Sequence, residues 1–356
     1  MSQLFTPLQL GPVTLPNRVL MAPLTRMRAF EGRAVGDLQV EHYRQRAGAG
    51  LILTEATSVT PMGVGYPNTP GIWSAEQVAG WKRVTDAVHA AGGRIAVQLW
   101  HVGRISDPEL LDGQLPVAPS AIAPEGQVAV LRPKRDYVVP RALETAEIAG
   151  IVQDFVQAAR NAKAAGFDFI EVHAANGYLF DQFLHEGSNQ RTDQYGGSIE
   201  NRARFLLETV DALLQEWPAD RIGVHLNPMS NTHSMQDSNP VALFTYVAEQ
   251  LQARKLAFIF SREEVKDGVL PIGQHMRKVF QGVLIANDGL TAEQAQALVS
   301  SGAADAVAFG RAFIANPDLP ARIAQGAAWN ALNASTIYSP DATGYNDYPT
   351  LDAVAA

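Results

Sequence analysis

Short uninterrupted apolar runs alternate along the chain with longer stretches whose apolar positions recur every three or four residues. The runs Val19–Met21, Leu51–Thr54, Ile95–Leu99, Phe169–His173, Ile222–Leu226, Phe258–Phe260, Val283–Ala286 and Ala306–Phe309 read as strands covered on both faces, the pattern of a parallel sheet. Ala75–Ala91, Glu147–Ala165, Ser198–Trp217 and Ala292–Ser300 read as helices; in the second, Ile148, Ile151, Val152, Phe155 and Ala158–Ala159 share one face. Ala91-Gly92-Gly93 and Ala165-Gly166 bring glycine to the point where a helix must stop. Repeated β→α units of this size predict an α/β chain closed into a (β/α)8 TIM barrel, a single domain over residues 1–356. Leu8–Leu10 and Val13–Leu15, joined by Gly11-Pro12, predict an N-terminal β-hairpin that plugs the barrel floor. A Pro-rich excursion, His101 to Pro140, follows the third strand, and the tail after Asn330 has little periodicity. The competing architecture is an open doubly wound sheet. It is weakened because no GxGxxG follows a strand and no GxxxxGK[ST] occurs.

Composition narrows the function classes. With 47% hydrophobic and 18% charged residues, the chain has too much apolar material for disorder. Lys+Arg 28 against Asp+Glu 36 gives a formal net charge of -8, which argues against nucleic acid as a partner. The local basic knot Arg132, Lys134 and Arg135 reads as a solvated loop face. The absence of cysteine removes disulfides, thiolate nucleophiles and iron–sulfur ligation, and no metal site is expected. The N-terminus lacks a secretory pattern, and no apolar run approaches the ~18 residues of a membrane span. The expectation is a cytoplasmic protein, monomer or homodimer, acting on small molecules.

Chemistry in such a barrel gathers at the C-terminal ends of the strands. Those ends carry Pro23-Leu24-Thr25-Arg26, Thr54-Glu55-Ala56, Gln98-Leu99-Trp100-His101, His173 with Asn176 and Tyr178, His225-Leu226-Asn227, Asn287-Asp288-Gly289 and Gly310-Arg311. Glycine after the seventh strand, and Gly-Arg after the eighth, suit a phosphate site. Each residue alone has a plainer reading. A strand-end histidine can be structural, Gln98 can satisfy buried backbone, Arg311 can pair with Asp305 or Asp318, and Trp100 and Tyr66 can be packing. Convergence of amide, imidazole, phenol and phosphate-type groups on one rim favours a site.

Longer motifs carry a resemblance. LFTPLQLG…LPNRVLMAPLTR (4–26), HYRQRAGAGLILTEAT (42–57), QLWHVGRIS (98–106), GFDFIEVHAANGYLFDQFL (166–184), SNQRTDQYGGSIENRARFLLE (188–208), AVAFGRAFIANPDL (306–319) and GYNDYP (344–349) span nearly the whole chain. In this the chain resembles the old yellow enzyme family of FMN-dependent ene-reductases, particularly the N-ethylmaleimide reductase and nitrate-ester reductase branch. Missing cysteine disfavours the iron–sulfur dienoyl-CoA reductase relatives, and Thr25 stands where a thermophile-like branch carries cysteine.

The resemblance implies FMN as cofactor and NADPH or NADH as reductant. It implies activated alkenes (α,β-unsaturated carbonyls, maleimides or nitroalkenes) as substrates. Pro23, Thr25, Ala56 and Gln98 would line the flavin, and Gly289, Gly310 and Arg311 would hold its phosphate. His173 and Asn176 would bind the substrate oxygen, Tyr178 would donate the proton, and Trp100, Tyr66 and Tyr345 would wall the pocket. Arg26, Arg28 and Lys134 could meet the nicotinamide cofactor's phosphates. The sequence departs from the family at the fifth strand, where His225 takes the slot of an arginine at the flavin edge and Asn227 that of a serine. The segment Met229–Pro240 also lacks the family's wording. A weakened charge there implies looser FMN or harder reduction, which His225→Arg would reverse. The open alternatives are that another group fills the gap, or that the chain is a divergent barrel binding ligands without turnover. A non-redox barrel such as an aldolase would need a lysine or metal ligands on the rim, where none stands.

Overall fold

In the computed structural model, which describes residues 2–128, 130–229 and 231–354, eight parallel strands close on themselves. In chain order they are β1 (Val19–Met21), β2 (Ile52–Leu53), β3 (Ile95–Trp100), β4 (Phe169–Ala174), β5 (Ile222–Leu226), β6 (Phe258–Arg262), β7 (Val283–Asn287) and β8 (Ala306–Phe309). β8 pairs back onto β1 through Val307↔Val19, and β2 joins β3 through Ile52↔Ile95, so the sheet has no free edge. The expected strands appear within a residue or two of their apolar runs. Met1, Ala355 and Ala356, the ends of the expected domain, lie outside the described residues, as does Ser230 within 229–240.

Two apolar layers hold the barrel. Inside, Leu20, Leu53, Ala96, Phe169, Phe258, Phe260 and Ile285 pack with Leu8, Leu10 and Leu15 of the hairpin Leu8–Leu10/Val13–Leu15. The hairpin therefore stops the floor. Gly223 in β5 makes room for this packing, because a Cβ there would lie 2.2 Å from the Phe258 ring. Outside, the helices Ala75–Ala90, Thr145–Ala164, Ile199–Leu213 and Ala292–Ser301 cover the strands with Trp81, Val84, Ile148, Phe155, Phe205 and Leu298. Their starts are written in the sequence. The Ser74 hydroxyl accepts from the Gln77 backbone N–H while Gln77 reaches back, and Thr291 and Gln294 repeat the exchange. Gly302, at φ 74, ends the last of these helices in the left-handed region.

With the floor closed, only the opposite mouth can accept a ligand. The excursion after β3 runs along that side and contains a short parallel pair, Val117–Ala118 with Arg141–Ala142. The basic knot stays on its surface, with Arg135 paired to Glu109 and Asp107. Among the described residues no helix is long and apolar enough to cross a membrane.

Candidate active site

The strand ends surround a cavity of about 600 Å³ at the mouth. Its floor comes from β3, β4 and β5. Gln98 Nε2 donates to Glu171 Oε2 at 2.7 Å and to His225 Nδ1 at 3.0 Å, and all three side chains are buried. Because Nδ1 of His225 accepts, its ring proton sits on Nε2, which is buried and has no partner. Burial and then Arg262 push His225 down to about 3, while burial pushes Glu171 up to about 8 despite the Gln98 hydrogen bond. At neutral pH this floor is uncharged.

Beside it, His173 from β4 stacks on His225 with ring centroids 5.1 Å apart. Its Nδ1 is also buried and unpartnered, and burial with the nearby His225 and Arg262 keeps its imidazole neutral. The turn after β4 puts Asn176 in the left-handed region, at φ 60, and aims it at the same cavity. Two side chains meet the Asn176 Oδ1, Asn227 Nδ2 at 2.7 Å and Arg262 Nη1 at 2.9 Å. Tyr178 follows, its ring edge-on to both Trp100 and His173 at 5.0 Å. Its hydroxyl lies 3.0 Å from that of Tyr66, and Tyr66 stacks on Trp100 at 5.5 Å. Burial raises the pKa of Tyr178, so the phenol keeps its proton through neutral pH.

Pro23, Thr25 and Ala56 form the wall below the β1 and β2 ends, and Gly289, Gly310 and Arg311 form the far end. Gly289 is left-handed (φ 62), and a Cβ there would meet only open space. Asp305 and Asp318, the carboxylates that could have claimed Arg311, are taken by Arg277 and Arg322 at 2.7 Å. Arg311 has no carboxylate partner among the described residues. One end thus offers a glycine turn and a free guanidinium, the other an amide and unpartnered ring nitrogens. A long ligand with an anionic tail and a heteroaromatic head suits this arrangement, and FMN is such a molecule. The volume lies within the usual range for ligand pockets.

Three expectations need correction. Tyr345 is not a pocket wall. It is fully buried, stacked 3.8 Å from His42 and covered by the guanidinium groups of Arg26 and Arg28 at 4.8 and 4.3 Å. Arg26 and Arg28 are not open to a nicotinamide phosphate, being 1% exposed. Arg28 donates to the carbonyls of Thr336, Ile337, Asp341 and Thr343, and Arg26 to that of Gly344, which pins the tail against the mouth. The pinned tail supplies a wall residue that the sequence reading missed, Tyr338. Arg262 at the end of β6 was missed as well. Its charge at the end of a strand that opens on the apolar run Phe258-Ile259-Phe260 was the signal available.

A profile of the NADH:flavin oxidoreductase / NADH oxidase family matches residues 3–330. A protein named putative 12-oxophytodienoate reductase 4, from Oryza sativa subsp. japonica, is 44% identical over 98% of this chain and 93% of its own. One named probable flavin mononucleotide-dependent alkene reductase, from Leishmania infantum, is 44% identical over 97% and 96%. A solved morphinone reductase in complex with tetrahydroNAD superposes with a TM-score of 0.94, at 51% identity over 99% of both chains. An old yellow enzyme homologue from Zymomonas mobilis also gives 0.94, at 42% identity over 98% of this chain and 99% of that one.

Proposed function

The chain belongs to the NADH:flavin oxidoreductase / NADH oxidase family, with FMN as its cofactor and a nicotinamide as reductant, and we propose that it reduces activated carbon–carbon double bonds. The substrates are α,β-unsaturated carbonyls, maleimides or nitroalkenes, and the whole barrel works as one domain. The carrying observation is that two neutral hydrogen-bonding groups, His173 and Asn176, share one cavity with the protonated phenol of Tyr178. Thr25 supports the branch suggested by the motifs.

When bound, FMN would supply the hydride chemistry that links NADPH or NADH to the alkene. Gln98 and His225 would hold its head, with the unpartnered His225 Nε2–H as donor. Pro23, Thr25 and Ala56 would support the ring, while Gly289, Gly310 and Arg311 would hold the phosphate. Charge that builds on the substrate's carbonyl or nitro oxygen is met by His173 and Asn176. Both are in place before it develops, so they stabilise the transition state more than the neutral substrate. Tyr178 gives its proton to the α-carbon. The phenolate left behind is buried, and Tyr66, 3.0 Å away, can turn its own O–H toward it and lower that cost. Trp100 and Tyr66 keep this corner dry.

A barrel that binds ligands without turnover is not favoured, since relatives of similar full length are named as reductases. Anaerobic titration tests the proposal. Flavin absorbance should bleach with NADPH or NADH and return on addition of 2-cyclohexenone. In Tyr178→Phe the bleaching should persist and the return should slow by about 10²-fold or more, the usual worth of a positioned proton donor. Unchanged return would remove Tyr178 from the mechanism.

A further inference from the structure

We propose that Arg262 is a positioning residue that locks the Asn176 carboxamide with its Nδ2 turned into the cavity. This rests on the reading of Asn176 as a donor to the substrate oxygen. An amide side chain has two ends of nearly equal size, and only its neighbours decide which end faces a ligand. Asn227 cannot decide alone. It donates from Nδ2 to Asn176 Oδ1 at 2.7 Å, but an amide–amide contact is satisfied equally well with both groups flipped. Arg262 breaks that symmetry. Guanidinium has five N–H donors and no acceptor, so its Nη1, 2.9 Å from Oδ1, could not face an NH2 group. With both lone pairs of Oδ1 engaged, Nδ2 is the end left over, and among the described residues no acceptor meets it.

The arginine is itself aimed. Arg262 ends β6 opposite Asn287 of β7, and its Nε lies 3.4 Å from Asp288 Oδ2 on the next turn. That pair is loose and partly exposed, with side chains 35% and 43% accessible, so it orients Arg262 without neutralising it. The guanidinium charge beside Oδ1 also polarises the amide, which makes Nδ2–H a stronger donor where negative charge develops. Had Arg262 been only a surface partner of Asp288, its Nη1 would have no reason to reach Asn176.

The test is a set of replacements in the FMN-loaded enzyme, made both with Asn176 intact and with Asn176→Ala. Three quantities are measured: kcat/KM for 2-cyclohexenone, its Kd for oxidised enzyme from the flavin absorbance shift, and the FMN Kd as a check on the fold. Arg262→Met should lower kcat/KM about tenfold and weaken enone binding, the scale of a hydrogen bond to a charged group. Arg262→Lys, which keeps a donor and gains no acceptor, should recover most of that loss. Arg262→Glu, whose carboxylate would attract Nδ2 away from the cavity, should cost more than Arg262→Met. With Asn176→Ala, Arg262→Met should change kcat/KM by less than about twofold, since the partner through which it acts is gone. Loss from Asn176→Ala but none from Arg262→Met would overturn the proposal alone. An equal loss from Arg262→Met with and without Asn176 would overturn it too. An Asn176→Ala enzyme with unaltered binding and turnover would overturn the Asn176 reading, and the proposal with it.

Discussion

Replacing His225 by arginine looks from the sequence like restoration of a missing charge, and the structure predicts that it will do little by itself. His225 sits 3.7 Å from Glu171, whose carboxyl burial pushes up to about 8, so the pair is uncharged at pH 7. An arginine there would be permanently charged. Opposite charges about 4 Å apart, at an effective dielectric near 20, attract by about 4 kcal/mol, or about three pKa units. That exceeds the gap between about 8 and neutrality, so Glu171 would ionise and cancel the new cation. Only with Glu171→Gln as well does an unpaired positive charge remain at the floor. A charge-assisted hydrogen bond exceeds a neutral one by about 1 kcal/mol, which corresponds to about fivefold tighter FMN. If the same 1 kcal/mol favours the reduced form, the two-electron potential rises by about 20 mV. FMN affinity is read from fluorescence quenching on titrating apoprotein, and the potential from equilibration with a reference dye. His225→Arg is expected within about twofold of the parent, and His225→Arg/Glu171→Gln at the full effect. Equal values for the two, or full tightening from His225→Arg alone, would refute the electrostatic account.

Two further outcomes follow from buried groups away from the reacting atoms. Glu171 has a folded pKa of about 8 against an ordinary 4.5, so the folded chain holds a proton that the unfolded chain releases; its contribution is complete below 4.5 and is lost as pH rises through about 8. Below about pH 6.5 the buried histidines, His173 and His225 among them, oppose this trend, because the unfolded chain protonates them and the fold does not. The melting temperature should therefore fall between about pH 7 and 9, and Glu171→Gln should flatten that fall. The slope left over belongs to Asp181 and Glu55, both raised by burial to about 7; an unchanged slope would mean that Glu171 is ionised in the fold. Arg28→Met removes the donor from four tail carbonyls, which at about 1 kcal/mol per net hydrogen bond makes about 4 kcal/mol and should speed proteolytic cleavage within 331–344 by up to about 10³-fold. Cleavage at the parental rate would show that the tail is held by other contacts.

The barrel was legible because each strand is buried on both faces and each helix on one, so burial is written directly as runs and periods. The hairpin was legible for the same reason, Leu8 and Leu10 flanking polar Gln9 before the chain turns at Gly11, and Leu15 following Thr14 after it. The mouth was legible where chemistry follows a strand end, as for Gln98, His173 and Asn176. It failed where position depends on contacts remote in sequence. Tyr338 and Tyr345 are both tail tyrosines, seven residues apart in a stretch with no period. Which one reaches the cavity is decided by the arginines of the β1 loop and by His42, some three hundred residues earlier.

Arg262 exposes a different blind spot, and it bears on how the site distributes charge. Aligned on the strand-five slot, His225 reads as a loss. In space, the end of the neighbouring strand brings a guanidinium to the same cavity wall and turns it toward Asn176, away from the Glu171 pocket. A cation placed beside Glu171 would be cancelled, as the His225→Arg argument shows. One placed at Asn176, with only a loose and solvated partner in Asp288, keeps its field where substrate oxygen would gather charge. The same net charge at the mouth thus does more at the end of β6 than at the end of β5. For that reason, Arg262→Met should affect the alkene half-reaction more than flavin reduction by NADPH or NADH.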